Sequence, residues 1–207
     1  MARRPGGVRP RATWTARLVR LYAGLVAFGF SLALLVRARL GLDPWDVLHQ
    51  GVARHLHVQL GWVVMAVSGL VLLCWIPLRQ RPGIGTISNA VLVGLSTNLG
   101  LDTLATPHGL AARIALLGAA LVLNAGASGL YLSARLGPGP RDGLMTGLAA
   151  RGHSIRAVRT LIEVSVLALG FVLGGSVGVG TLVWAPCIGP LVHQAMARLV
   201  PKARAQA

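Results

Sequence analysis

Ala38-Arg39-Leu40-Gly41-Leu42-Asp43-Pro44-Trp45-Asp46 returns ninety-six residues later as Ala134-Arg135-Leu136-Gly137-Pro138-Gly139-Pro140-Arg141-Asp142. The register continues past the block, with Leu48 on Leu144 and Gly51 on Gly147. After a one-residue skip, Gly83-Ile84-Gly85-Thr86 falls on Gly178-Val179-Gly180-Thr181. The chain is therefore read as a duplicated unit, and the positions that recur are the first places to look for function.

The chain's composition identifies the solvent of that unit. Hydrophobic residues make up 54% of the 207 and charged residues 12%, with a mean hydropathy of +0.67; a soluble domain carries about 25% charged residues. Apolar runs at 17–36, 60–78 and 109–132 approach the roughly 20 residues that a helix rising 1.5 Å per residue needs to cross a bilayer. Weaker runs at 84–104, 157–174 and 179–199 complete a set of six. Their Leu, Val, Ala and Gly lack the alternation of a barrel strand, and lipid offers no partner to an unpaired backbone group, so each run predicts a helix. The expected fold is an all-α polytopic membrane bundle of about six transmembrane helices. It occupies 15–200 as one domain, with halves at 17–105 and 109–199, between a basic tail at 1–14 and a second tail at 201–207.

The formal net charge of +15 would suggest nucleic acid in a soluble protein. Here the basic residues flank the apolar runs without an interleaved aromatic stripe, so nucleic acid is not an expected partner and topology is the better reading. An N-terminus inside places Arg3, Arg4, Arg9, Arg11, Arg17 and Arg20, the turn with Arg79 and Arg81, the 133–159 connection and the C-terminal Arg198, Lys202 and Arg204 on the cytoplasmic face. Sixteen of the twenty basic residues are then inside, leaving Arg37, Arg39, Arg54 and Arg113 outside. This fits the positive-inside rule and predicts a cytoplasmic (inner) membrane protein with both termini cytoplasmic. Three spans per repeat is an odd number, so the second half enters from the opposite side and the halves are inverted.

The repeated block has the form of a helix start. Asp43 suits the N-cap, Pro44 the first helical position and Asp46 the third, where a carboxylate reaches back to the cap. A short helix is expected over 43–57, with Trp45, Leu48, Val52 and Leu56 on one face and Asp46, His49, Gln50 and His57 elsewhere. In the second copy Gly139 replaces the cap, while Pro140 and Asp142 keep their places. Two readings stand side by side. In one, both segments fold back toward the bundle centre, and Asp46 and Asp142 face a shared polar cavity as solute- or cation-binding groups, with Asp43 a further binding candidate. In the other, the aspartates serve the helix dipole at the membrane surface.

The paired glycines and threonines of Gly83, Gly85, Thr86 and of Gly178, Gly180, Thr181, together with Pro44 and Pro140, are expected as packing or hinge points, since glycine lets helices approach closely. Asn124 lies in an apolar run and can hydrogen-bond to a neighbouring helix. Glu163 is an acid well inside an expected span, which makes it a binding candidate, although Arg159 one turn earlier offers an ion pair. No histidine pair has i, i+4 chelating spacing, and Cys74 and Cys187 have no CxxC relation, so neither a metal site nor a disulfide is expected. The chain has no nucleotide loop, dinucleotide fingerprint, nucleophile elbow or HExxH, so no catalytic residue and no cofactor is assigned.

LGLDPWDVLHQGVA (40–53), IPLRQRPGIGT (76–86), LGPGPRDGLMTGLA (136–149) and GGSVGVGT (174–181), in this order, resemble the bacterial YczE family of membrane proteins, related to the YitT-like group. The likeness implies a multi-pass inner-membrane protein and supplies no substrate. Inverted halves are a recurrent transporter design, so the leading expectation is secondary transport or permeation of a small solute or ion. The alternative is a non-transporting scaffold or accessory subunit, acting within the lipid bilayer as a homo-oligomer or on another membrane protein.

Overall fold

The computed structural model describes residues 13–199; the expected terminal tails, with Arg3, Arg4, Arg9, Arg11, Lys202 and Arg204, lie outside the described residues. Those residues form eight helices: α1 (Trp14–Ala38), α2 (Pro44–Leu56), α3 (Leu60–Leu78), α4 (Ile84–Thr103), α5 (Leu110–Ser133), α6 (Pro140–Ala149), α7 (Ile155–Val172) and α8 (Val179–Leu199). The order long, short, long, long occurs twice. Helices α1, α3, α4 and α5 are long and apolar enough to cross a membrane. Helices α7 and α8 occupy the places expected of the last two spans, but Arg156, Arg159 and Glu163 in α7 and the prolines 186 and 190 in α8 make them more polar or more broken.

Local chemistry sets the boundaries. Asp43 is the N-cap of α2, accepting the Asp46 N–H at 2.8 Å, and Pro44 stands where its missing donor costs nothing. Thr86 Oγ1 accepts the Gly83 N–H at 3.3 Å at the start of α4, and Thr181 Oγ1 accepts that of Gly178 at 3.3 Å at the start of α8. The turns match as the sequence does: left-handed residues at Arg39 (φ 52°) and Arg135 (φ 53°) are each followed two residues later by a glycine at positive φ, Gly41 (111°) and Gly137 (129°). Only glycine enters that last region without strain, which explains why LG recurs in both blocks.

Helices α1 and α5 form an antiparallel centre, with α4 packed on α1 and α8 on α5. Arg17 at the start of α1 donates to the Ala134 carbonyl at 2.9 Å and the Arg135 carbonyl at 3.0 Å, at the end of α5. Arg113 at the start of α5 donates to the Ala38 carbonyl at 2.8 Å, at the end of α1, and also to Arg39. The two arginines are themselves ninety-six residues apart. A cation at a helix C-terminus contributes about 0.3–1 kcal/mol.

The short helices exchange between halves. Helix α2 packs on α7, and α6 packs on α3. Arg54 at the end of α2 donates to the Gly174 carbonyl at 2.5 Å, and Arg151 after α6 donates to the Pro77 carbonyl. The Gly85 N–H meets the Leu136 carbonyl at 2.9 Å, and the Gly180 N–H meets the Leu40 carbonyl at 2.6 Å. The glycine turn of each half is thus seated on the repeated block of the other, where any side chain would collide with backbone.

Burial runs against the pattern of a soluble protein. Leu70, Ile76, Leu161, Phe171 and Leu182 point outward, whereas Ser31, Thr86, Thr97, Asn98, Asn124 and Ser128 are buried. Asn124 Nδ2 donates to Ser31 Oγ at 2.8 Å, joining α5 to α1 as its place in the sequence suggested. Between membrane helices such a bond averages about 0.6 kcal/mol, so it fixes register more than it drives association. Helix α2 departs from its expected face. Leu56 is 60% exposed while Asp46 and His49 are 1% exposed, because α2 lies between α3 and α7 with its first turn directed at the start of α6.

Candidate functional site

The starts of α2 and α6 meet. Helix α2 runs antiparallel to α3, and Trp45 in its first turn joins a cluster with Val71 and Trp75 of α3, Met145 of α6 and Val158 of α7. Both short helices therefore begin within the bundle. Trp45 and Arg141 occupy the same repeat position, and the Arg141 guanidinium lies over the Trp45 ring at 5.4 Å. Residues that contact their own repeat counterpart mark where the two halves come together.

Arg141 holds the first corner. Its terminal nitrogens are 3.5 Å from Asp43 Oδ2 and 3.7 Å from Asp46 Oδ1. Asp46 Oδ1 also contacts His49 Nδ1 at 3.0 Å, while Asp46 Oδ2 and Trp45 Nε1 are buried without a hydrogen-bond partner among the described residues. Asp142 makes up the second corner and has a different setting. It is exposed, and its Oδ2 accepts the Tyr131 hydroxyl at 3.2 Å. Two carboxylates, Asp43 and Asp46, lie within ion-pair distance of the Arg141 guanidinium, and the two helix N-termini add partial positive charge to the junction.

A cavity of about 500 Å³ opens over this junction. Asp43, Arg141 and Asp142 lie on its wall with Tyr131 and Asn124; Arg159 and Glu163 enter from α7, and Trp184 and His193 from α8. Helices α7 and α8 both line it, and their counterparts α3 and α4 pack closely together. A second cavity, of about 450 Å³, lies where α1 ends and is lined by Arg37, Arg39 and Arg54. There Arg37 is engaged with Thr106 Oγ1 at 3.1 Å and the Leu101 carbonyl, and Arg54 with the α7 terminus.

The family described as "Family of unknown function (DUF6198)" matches residues 15–197. The chain belongs to this YczE-like family. An uncharacterized protein of Haemophilus influenzae is 38% identical over 196 residues, covering 90% of each chain. The uncharacterized membrane protein YczE of Bacillus subtilis is 31% identical over 178 residues, covering 83% of this chain and 81% of YczE. The uncharacterized protein YyaS of the same organism is 26% identical over 177 residues, covering 82% and 87%. No solved structure matches. With its apolar helices, this chain is a YczE-like membrane protein.

Within this YczE-like fold the expected site residues divide. Asp43, Asp142, Glu163 and Asn124 share the cavity wall. Asp46 does not, since it is buried behind the wall against His49 and Arg141. The expectation of Asp46 and Asp142 on one shared surface is corrected on that point: the cap position, Asp43, faces the cavity instead. Glu163 forms its 2.8 Å pair with Arg159. Pro44 and Pro140 start the two short helices, and the Pro140 carbonyl accepts the Trp75 indole N–H at 3.1 Å. Gly83, Gly85 and Thr86, like Gly178, Gly180 and Thr181, make packing contacts between the halves away from the cavity wall; Thr86 donates to the Pro138 carbonyl at 2.8 Å. Arg141 and Tyr131 are the residues that sequence reading missed. Arg141 falls in the basic 133–159 connection, and its identity of repeat position with Trp45 is the available signal.

Proposed function

We propose that this YczE-like chain is a secondary transporter or permease of a small solute, without enzymatic activity. It crosses the cytoplasmic membrane six times as two inverted halves, with both termini in the cytoplasm. The carrying observation is the convergence of the two short helices on one cavity, one from each half, with Arg141 bridging to Asp43 and Asp46. At membrane depth, polar backbone ends are tolerated where they line a cavity or are buried in protein, and a midplane site between related halves is where alternating access operates. The matched turns, the reciprocal Arg17 and Arg113 contacts and the exchange of α2 and α6 support the inverted arrangement.

Purified protein in sealed vesicles, tested for uptake of radiolabelled amines, amino acids and sugars, should accumulate one class above protein-free vesicles. The double substitution Asp46→Asn with Asp142→Asn should abolish that uptake while the protein remains monodisperse. Flux in none of these classes, together with stable co-purification of another membrane protein, would instead establish a scaffold or accessory subunit. Topology has its own test. Single cysteines replacing His57 and His153, in a background lacking Cys74 and Cys187, should react with impermeant reagent from opposite sides; labelling from one side would refute the inversion.

A further inference from the structure

The charges on the cavity wall are unequally matched. Arg159 is paired with Glu163 at 2.8 Å, and Arg141 with Asp43 at 3.5 Å and Asp46 at 3.7 Å. Asp142 stands on the same wall, exposed, with the Tyr131 hydroxyl as its hydrogen-bond partner and, among the described residues, no cation within ion-pair distance. It occupies the third position of α6, where the helix terminus offsets about half of its charge and no more. An anion entering here would meet a carboxylate and would have to break an existing pair to reach a guanidinium. A cation meets the one carboxylate that is unmatched.

The rest of the wall narrows the cation's chemistry. Phe28, Tyr131 and Trp184 line the cavity together with Trp45, and aromatic rings attract ammonium groups through their quadrupoles. One ring already does so, since Trp45 carries the Arg141 guanidinium at 5.4 Å. Trp45 is a cavity-wall residue whose buried Nε1 donor has no acceptor among the described residues. A volume near 500 Å³ lies within the range of about 300–1,000 Å³ typical of small-molecule sites. We propose that this cavity binds a small organic ammonium ion bearing a hydrogen-bond acceptor, with its cationic head on Asp142 beside Tyr131. The assignment rests on reading the cavity as the solute site and names the class of that solute.

Binding can be measured apart from transport. Full-length protein in detergent is titrated with choline, with ethanolamine and with 3,3-dimethylbutan-1-ol, the uncharged isostere of choline, while the intrinsic fluorescence of its five tryptophans is followed, Trp45 and Trp184 being those on the cavity wall. Choline or ethanolamine should give a saturable change, and the neutral alcohol should bind at least about tenfold more weakly, because a charge-assisted contact is lost. Asp142→Asn should weaken the amines by a similar factor, and Asp102→Asn, at an exposed carboxylate of α4 outside the cavity wall, should leave them within about twofold. Equal binding of alcohol and amine, no saturable binding of either amine, or an unaffected folded Asp142→Asn protein would each overturn the assignment. The isostere comparison uses the unaltered chain, so it decides even where the variant does not fold. Amine binding without flux would remove the transporter reading and keep the site; flux of another solute with no amine binding would do the reverse.

Discussion

The first turns of α2 and α6 start from the same pattern, Pro44-Trp45-Asp46 and Pro140-Arg141-Asp142, and reach opposite outcomes. In α2 the cap is an aspartate that satisfies the Asp46 N–H, and the Asp46 side chain is sealed against His49 and Arg141. In α6 the cap is Gly139, which has no side chain to offer, and Asp142 remains exposed to the cavity. Packing follows the same division. The backbone at Val47 and Leu48 lies against Gly170 of α7, whereas Gly143 of α6 leaves room for the Trp75 ring of α3. Small and large residues have traded places between the halves, so each interface fills in its own way. After duplication, one carboxylate became part of the structure that fixes Arg141 and the other became available to a ligand.

The largest expected break in this comparison is Asp46→Ala. The substitution leaves His49 buried without its acceptor and removes one of the two carboxylates around Arg141. Losing one partner of a buried charge pair costs about 3–5 kcal/mol. Arg141 keeps Asp43 and is partly exposed, which places the expectation near the lower end. Thermal or denaturant unfolding in detergent would show it as a clear loss of stability, and Asp46→Asn, retaining an acceptor for His49, should lose less. A variant as stable as the parent would mean that the buried cluster does not hold the corner.

What could be read beforehand was local. Asp43 as cap, Pro44 at the first turn and the Gly83 and Gly178 starts follow from backbone hydrogen-bonding needs within four residues, and the structure has them. The Arg159–Glu163 pair and the interhelical bond of Asn124 follow from spacing and from the shortage of polar partners in a greasy chain. Arg141 could not be placed in this way. Its partners lie ninety-eight and ninety-five residues away, and an arginine beside an apolar run has the same local signature whether it marks a membrane face or enters the bundle. Helix α2 misled for a related reason. Amphipathicity assigns the polar side to solvent, but a helix enclosed by α3 and α7 buries that side when it has a partner such as Arg141. Arg37, Arg54 and Arg113, counted as exterior charge, prove to cap helix ends contributed by distant segments.

Asp142→Ala should be the milder change, and it sharpens the comparison most. It removes one hydrogen bond, from a Tyr131 hydroxyl that borders the cavity and can turn to solvent or solute there. The net worth of such a bond is about 0.5–1.5 kcal/mol, and the small favourable interaction of a carboxylate with the α6 terminus is lost with it. Stability should fall by about 1 kcal/mol, well below the loss for Asp46→Ala, while amine binding and uptake should fall far more than that difference accounts for. The two variants measured together therefore separate structure from function at equivalent positions: a large stability loss at 46 with a large binding loss at 142. If Asp142→Ala destabilised the protein as much as Asp46→Ala, the second carboxylate would belong to the framework as well, and the unmatched charge on the cavity wall would be a strut rather than a seat for a ligand.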